Sequence, residues 1–201
     1  MAYQRKDAFY RRAKTEGFRS RAAYKLLQIA KQDRIFRRGD RVIDVGAWPG
    51  GWLQVALEFT GPEGRLVGCD LRALEPLAGP VSVVVGDVSS PDVRARLIAA
   101  CGGPADVVLS DLAPQLSGIR ERDEARANEL ADSVLDFAAG ALRPGGNLVI
   151  KLFMNSSYEP TVARLRAAFR RVRTTRPEAT RKGSAELYAI AFGHRPSVQN
   201  S

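Results

Sequence analysis

From residue 41 onward, the sequence alternates between short runs rich in β-branched residues and longer segments with helical periodicity. Such alternation is typical of β-α-β units, in which helices join parallel strands and cover the sheet. Strands are predicted at 41–45, 65–70, 81–85, 106–110, 147–153, 172–176 and 187–192, and helices at 20–31, 51–59, 91–100, 121–141 and 159–169. The pattern therefore predicts one α/β domain around a mostly parallel, seven-stranded, Rossmann-like sheet.

The last two predicted strands follow one another with no helix between them, so we expect them to form an antiparallel hairpin near the edge of the sheet. The charge pattern and the onset of strand alternation predict three segments along the chain. Residues 1–40 are a basic N-terminal arm with a first helix, residues 41–193 are the α/β domain, and residues 194–201 are a flexible tail.

Basic residues are concentrated in two segments that flank an acidic middle. Residues 1–41 contain 13 basic and 4 acidic side chains, residues 164–182 contain 8 and 1, and residues 42–163 contain 9 and 16. Two basic segments on an otherwise acidic chain favour a polyanionic partner, because lysine and arginine neutralise phosphates and release counterions. Nucleic acid is favoured over a membrane, since the aromatic residues of the arm form no continuous apolar face. We expect contacts with it from Arg11, Arg12, Lys14, Arg19 and Arg21.

Composition excludes several other classes of protein. No apolar run is long enough to span a bilayer, and no cysteine or histidine cluster has the spacing of metal ligands. We therefore expect no membrane partner and no bound metal, and we further expect a cytoplasmic monomer. Cys69 and Cys101 are expected to be reduced and packed as small apolar residues. His194, the only histidine, is expected to be exposed in the tail.

The segment 44–52 joins the first predicted strand to the helix at 51–59 and reads Asp-Val-Gly-Ala-Trp-Pro-Gly-Gly-Trp. Its glycines let the backbone approach a ligand closely, and the N-terminus of the helix directs N–H donors toward it. The segment lacks the G-x-G-x-x-G spacing of dinucleotide enzymes, so it suits a nucleoside without a pyrophosphate. The cofactor contacts expected from this segment are Asp44, Gly46, Pro49, Gly50, Gly51 and Trp52.

Acidic residues follow the next two predicted strands. Asp70 lies 26 residues after Asp44, where an acid can accept hydrogen bonds from both ribose hydroxyls of a nucleoside. Asp87, followed by Val88, is placed to accept a hydrogen bond from an adenine amino group. The carboxyl ends of parallel strands meet at one edge of the sheet, so the acids are expected to form one site. Together with an antiparallel strand near the edge, this site predicts S-adenosylmethionine as the cofactor.

A candidate catalytic pair lies on the fourth and fifth predicted strands. Asp111 follows the fourth strand at the same edge as the cofactor segment, and we assign it to the cofactor site as well. Lys151 lies inside an apolar run, where an unpaired ammonium is costly to bury. A buried lysine near carboxylates is a candidate general base. Lys25 and Glu186, taken alone, have the character of surface residues.

The chain resembles the FtsJ family of ribose 2′-O-methyltransferases, also called RrmJ or RlmE, across nearly its whole length. The resemblance rests on five motifs in order, at 20–26, 44–52, 110–114, 151–153 and 184–188. It implies a catalytic tetrad of Lys25, Asp111, Lys151 and Glu186, with Lys151 as the proton acceptor. It further implies methylation of a uridine 2′-hydroxyl in the A loop of 23S rRNA, within the large ribosomal subunit. One departure from the family is Trp48, where a small residue is more usual.

Three other functions stay open. A nicotinamide-dependent oxidoreductase would use the same fold, but the G-x-G-x-x-G motif is absent. A non-catalytic RNA-binding or ribosome-assembly protein would use the basic arm, but it has no need of a lysine inside a strand. The third is methylation of tRNA or of an mRNA cap by the same chemistry, which the sequence separates poorly from methylation of rRNA.

Overall fold

The computed structural model describes residues 8–115, 117–181 and 183–196. Its helices are α1 (Ala8–Thr15), α2 (Ala23–Asp33), α3 (Gly51–Thr60), α4 (Pro91–Cys101), α5 (Arg120–Ala141) and α6 (Tyr158–Ala168). Its strands are β1 (Arg41–Val45), β2 (Arg65–Asp70), β3 (Val81–Val85), β4 (Ala105–Ser110), β5 (Leu142–Phe153), β6 (Phe169–Thr175) and β7 (Glu186–His194). Within these ranges no helix has both the length and the apolar character that crossing a bilayer requires.

The seven strands form one sheet in the order β3-β2-β1-β4-β5-β7-β6. The neighbours from β3 to β5 are parallel, whereas β7 is antiparallel to both β5 and β6. The predicted fold class and the predicted hairpin of the last two strands are therefore confirmed. β7 returns between β5 and β6, so the reversed strand lies one position in from the edge.

The central strands are buried on both faces, which explains why they read as continuous apolar runs rather than as alternating patterns. One face packs against α2 and α3, through side chains such as Leu26 and Leu53. The other face packs against α4, α5 and α6, through side chains such as Leu97, Phe137 and Leu165. The helices thus cover both faces, and only the edges formed by the strand ends are left for ligands.

The basic arm contains one helix that the sequence pattern did not predict. α1 spans eight residues, too few to establish an apolar periodicity. It docks through Ala13, which packs with Tyr24 of α2 and with Ala179 from the loop between β6 and β7. Residues 8–40 therefore lie against the α/β domain, while residues 1–7 of the predicted arm lie outside the described residues.

The cysteines are as expected, but the histidine is not. Cys69 and Cys101 are free and buried, and burial raises the pKa of their thiols to about 12 and about 11. The prediction that His194 is exposed in the tail is wrong: it ends β7, is only 4% exposed and packs on Phe169. The pairing of His194 with Phe169 across the β6–β7 ladder extends the hairpin beyond the predicted strand end and buries the ring.

Burial lowers the pKa of His194. As pH falls through the usual histidine range, near 6.5, His194 becomes protonated in the unfolded chain but stays neutral in the folded chain. The free energy of unfolding therefore decreases. We expect the free energy of unfolding to decrease between pH 7.5 and 5.5 more for the wild type than for His194→Asn. The difference is bounded by about 1.4 kcal/mol per pH unit for one proton. Urea titrations at the two pH values measure it, and equal losses in both proteins would contradict it.

Candidate active site

A cavity of about 810 Å³ opens at the edge where the parallel strands end. Residues following β1, β2, β3 and β4 line it, as the topology of an open α/β sheet requires. Five of the predicted cofactor residues are part of this lining: Gly46, Asp70, Asp87, Val88 and Asp111. The other five lie next to the cavity in the chain but do not line it, and their cofactor contacts stay predictions: Asp44, Pro49, Gly50, Gly51 and Trp52.

The segment between β1 and α3 is held close to its neighbours by glycine. Gly46 has a φ of 83°, and a Cβ there would lie 2.4 Å from the Leu112 side chain. A Cβ on Gly51 would lie 2.5 Å from the Ser20 hydroxyl oxygen. A larger residue at either position would therefore require the Leu112 or the Ser20 side chain to move. Trp52 is buried behind the loop, where its indole N–H donates to the Ala22 carbonyl at 2.9 Å.

The acids of the lining are oriented by backbone donors. The two carboxylate oxygens of Asp70 accept hydrogen bonds from the N–H groups of Trp48 and Arg72, each at 3.0 Å. Asp87 accepts one from the Ser89 N–H at 2.8 Å. A carboxylate oxygen can accept a second hydrogen bond, so both acids retain capacity for hydroxyl or amino donors of a ligand.

Asp44 is the one buried carboxylate whose oxygens both lack a hydrogen-bond partner among the described residues. Burial raises its pKa well above the usual value, and the nearby charges of Asp111 and Asp70 add to the shift. An orphaned carboxylate beside an acidic cavity favours a cationic ligand, because a positive charge would relieve both burial and repulsion. S-adenosylmethionine carries an α-ammonium and a sulfonium, so the residues present fit this cofactor.

The predicted tetrad is brought together as two lysine–carboxylate pairs. Lys151 Nζ lies 2.8 Å from Asp111 Oδ1 and also donates to the Asp111 carbonyl at 2.8 Å. Lys25 Nζ, from α2, lies 2.6 Å from Glu186 Oε1 at the start of β7. Both lysines are buried, so each ammonium is matched by a carboxylate.

Tyr188 joins the two pairs, although it is not among the residues predicted from the sequence. Its hydroxyl accepts a hydrogen bond from Lys25 Nζ at 2.9 Å and donates one to Asp111 Oδ1 at 2.5 Å. Burial, with the charges of Asp111 and Glu186, raises its pKa well above the usual value and keeps it a donor. The signal was present in the chain: Tyr188 lies two residues after Glu186, so on a strand both face the same side.

The strand register places these groups. In the antiparallel pair β5–β7, Lys151 lies opposite Tyr188 and Phe153 opposite Glu186. Asp111 follows directly from the last residue of β4, which is the parallel neighbour of β5. A one-residue slip of β7 would turn Tyr188 to the other face of the sheet. The active site therefore depends on the β5–β7 strand pairing, which also joins the last two strands to the rest of the sheet.

The predicted RNA contacts fall into two groups. Arg11, Arg12 and Lys14 are exposed on α1, although Arg12 pairs with Glu16 at 2.7 Å. Arg19 is engaged inside the protein, and its guanidinium donates to the carbonyls of Pro49, Glu75 and Pro76 at 3.3, 2.6 and 2.6 Å. Arg21 likewise donates to the Ala179 carbonyl. The structure thus gives Arg19 and Arg21 internal roles, and RNA contact by any of the five stays a prediction.

Within the described residues, no group of three or more histidine, cysteine or acidic side chains is arranged to hold a metal ion. The lining also contains residues that were not predicted to be part of the site, such as Trp48, Leu112 and Arg126. Trp48 is half exposed, and the Arg72 guanidinium lies 5.0 Å from the centre of its ring. No sequence pattern marks such residues, because their place depends on loop conformation.

A sheet in which only β7 is reversed is the arrangement of the Rossmann-like, S-adenosylmethionine-dependent methyltransferases, and the fold places the protein in that class. The chain belongs to the FtsJ-like methyltransferase family, whose model matches residues 18–194. The predicted family and fold class are thus confirmed, and the comparisons support S-adenosylmethionine as the cofactor.

Individual matches agree with this assignment. The chain is 47% identical to the ribosomal RNA large subunit methyltransferase E of Methanothrix thermoacetophila, over 94% of this chain and 73% of that protein. It superposes on a crystal structure described as a ribosomal RNA methyltransferase from Plasmodium falciparum with a TM-score of 0.78, at 25% identity, over 88% and 98% of the two chains. It shares the fold of Aeropyrum pernix fibrillarin bound to S-adenosylmethionine, with a TM-score of 0.57 at 16% identity over 84% and 75%.

The unpartnered carboxyl of Asp44 makes a prediction about stability. The folded chain retains a proton that the unfolded chain releases, so the wild type loses stability as pH rises above the usual carboxyl range through the raised pKa. We expect Asp44→Asn to stabilise the cofactor-free protein by about 1 kcal/mol or more at pH 8, and less at pH 4. The same substitution should weaken binding of S-adenosylmethionine.

Denaturant titrations at both pH values and calorimetry with the cofactor measure the two effects. Asp87→Asn is the matched control, since it neutralises an exposed carboxylate of the same cavity and should not stabilise the chain. A gain in stability that does not change with pH would contradict the raised pKa of Asp44. A cofactor affinity equal to that of the wild type would show that Asp44 has no role in binding.

Proposed function

We propose that this protein methylates the 2′-hydroxyl of a uridine in the A loop of 23S rRNA, with the large ribosomal subunit as the substrate. The support comes from the connected network of Lys25, Asp111, Lys151, Glu186 and Tyr188 at the edge of an acidic cavity. The decisive observation is the position of Asp111, which lines the cavity and also pairs with Lys151. A relative named ribosomal RNA large subunit methyltransferase E supports the class of substrate.

Transfer of a methyl group to a hydroxyl oxygen requires positioning and the removal of one proton. When bound, S-adenosylmethionine supplies a sulfonium methyl that is already electrophilic. The Lys151 amine is our proton acceptor, and Asp111 holds it in place through both its carboxylate and its carbonyl. Lys151 must first lose its ammonium proton, and the amine then takes the proton of the ribose hydroxyl.

Lys25 and Glu186 act as a second, supporting pair. Lys25 donates to Tyr188, which in turn donates to Asp111, so the pair fixes the carboxylate that orients Lys151. We assign Lys25 and Glu186 to holding the substrate ribose and the geometry of the tetrad. The predicted monomeric state and cytoplasmic location stay predictions.

The direct test of the substrate is to incubate the enzyme with labelled cofactor and either large-subunit rRNA, assembled subunits, tRNA or capped mRNA. Mapping the labelled nucleotide then identifies the modified position. We expect label on the ribose of one uridine of the A loop. Label on a base, or only on tRNA or on a cap, would contradict the proposed substrate. The assignment to the methyltransferase family would not change.

Lys151→Arg tests the proton acceptor. Arginine keeps the positive charge but cannot be deprotonated near neutral pH. We expect the single-turnover rate to fall by at least about a hundredfold, with cofactor and RNA binding retained, because general-base contributions are on the order of 10²–10⁴-fold. The wild-type rate should rise with pH as the neutral amine forms, and the variant should lack this rise.

Lys31→Arg serves as the matched control, because Lys31 is an exposed residue of α2. It should behave as the wild type in rate and in pH profile. If Lys151→Arg retains most of the wild-type rate, Lys151 only positions the substrate or stabilises charge, and the proton passes to water or to Asp111.

The exposed cations of α1 test the RNA-binding surface. Arg11→Gln combined with Lys14→Gln removes two charges and spares Arg19 and Arg21, which have internal roles. We expect weaker RNA binding and a flatter dependence of the binding constant on salt, by about 1 unit in log–log slope for each phosphate that is no longer neutralised. Cofactor affinity should not change.

A second double variant matches the change in charge. Arg96→Gln with Arg120→Gln removes two exposed arginines of α4 and α5 that pair with acids one turn away. An equal loss of RNA binding in both variants would show that net charge, rather than α1, carries the interaction.

A further inference from the structure

A second cavity, of about 440 Å³, lies at the opposite edge of the sheet from the active site. It opens where β1 and β4 begin and β7 ends, whereas the cofactor cavity opens where β1 and β4 end. Strands of five or six residues separate the two edges by about 17–20 Å. Four arginines line this second cavity, and we call them the distal basic edge: Arg34, Arg37, Arg143 and Arg171.

Two acids of the distal cavity are already engaged within the protein. Asp106 accepts hydrogen bonds from the Arg41 backbone N–H at 2.8 Å and from the Arg143 guanidinium at 2.5 Å. Asp40 accepts one from the Arg37 backbone N–H at 2.7 Å. The guanidinium of Arg143 is therefore neutralised locally, and its role is to hold the start of β4 and β5 together.

The other three arginines of the edge form no such ion pair. Asp33 pairs with Arg173, at 3.1 Å. The guanidinium groups of Arg34, Arg37 and Arg171 form no ion pair with any acid among the residues that the structure describes. Asp40 is the one acid of this lining without an ion pair, and the charge of Arg37 acts on its buried carboxyl. The three guanidinium groups outnumber this carboxyl, so the concavity suits an anion, and their forked donors match phosphate oxygens.

One arginine of the distal basic edge is held in place before any ligand binds. The Arg171 guanidinium lies 4.1 Å from the centre of the Phe192 ring, a stacked contact that restrains the side chain before a ligand arrives. A membrane surface is disfavoured, because an interfacial site needs apolar anchors beside its cations. The exposed large apolar side chains among the described residues all lie elsewhere: Tyr10, Trp48, Leu71, Val85, Ile119 and Met154.

We propose that the distal basic edge binds the phosphate backbone of the substrate RNA, at a distance from the methylated ribose. This inference rests on the proposed function, since it takes the substrate to be RNA. At roughly 3.4 Å per stacked nucleotide, the separation of the two edges corresponds to about five or six nucleotides. A short RNA centred on the target therefore reaches the active site alone, whereas a long or folded RNA reaches both.

RNA length is thus the variable that tests the proposal. The variant is Arg37→Gln with Arg171→Gln, and the control is Arg96→Gln with Arg120→Gln, which removes equal charge from α4 and α5. Each protein is assayed on a five-nucleotide RNA and on a large-subunit rRNA fragment, for KM, kcat and the salt dependence of binding. Arg171→Lys is a further variant that keeps the charge.

On the long RNA, we expect the variant to raise KM about tenfold and to lower the log–log salt slope by about 1.4–1.8 units, because two phosphates are no longer neutralised. On the short RNA, KM and kcat should equal those of the wild type, as should cofactor affinity. Arg171→Lys should recover part of the long-RNA affinity. The control should match the wild type on both RNAs.

Other outcomes overturn the proposal in distinguishable ways. Equal KM values for the variant and the wild type on the long RNA would show that RNA does not bind the distal basic edge. An acidic protein surface would then be the candidate ligand. An equal loss on short and long RNA, or in the control, attributes the effect to net charge. If the wild type methylates assembled large subunits but neither free RNA, the variant and the control are compared on the subunits, where the same loss in KM is expected. If it methylates none of the three, the proposed function fails first, independently of the distal basic edge.

Discussion

Two buried ammonium groups and the two half-buried carboxylates that pair with them at one edge of the sheet are the constraint on which the active site depends. An unpaired lysine would be costly in this environment, so each needs its carboxylate at hydrogen-bonding distance. The pairs Lys151–Asp111 and Lys25–Glu186 meet this need, and Tyr188 joins them into one network. The partners come from α2, the end of β4, β5 and β7, so the site is complete only when these four elements are in register.

The two edges of the sheet differ in charge, and the charge of each edge suits the ligand that we assign to it. Acids accumulate where the parallel strands end, with Asp44, Asp70, Asp87 and Asp111 close to one cavity, which suits a cationic cofactor. Arginines accumulate where the strands begin. The net charge of the chain is strongly positive. Its negative potential is nevertheless concentrated where the methyl donor would bind, and positive potential surrounds that site.

The sheet could be predicted from the sequence because continuous apolar runs, separated by helical segments, mark its strands. The tetrad came instead from the resemblance to a family, since Lys25 and Glu186 taken alone have the character of surface residues. Other features depend on contacts between distant segments. Arg19 and Arg21 resemble RNA contacts as members of a basic run, yet both donate to backbone carbonyls across the fold. His194 follows an apparent strand end, but the hairpin continues and buries it.

The return of β7 between β5 and β6 has a consequence for how the protein acquires activity. β7 is the last strand in chain order, and it contributes Glu186 and Tyr188 and separates two strands that precede it. Until β7 emerges from the ribosome, β5 lacks one of its two neighbours, and both buried lysines lack part of their network. A nascent chain could assemble β1 to β4 and the walls of the nucleoside cavity early. Competence for chemistry would come only after β7 has joined the sheet, as a single event that depends on contacts between residues far apart in the sequence.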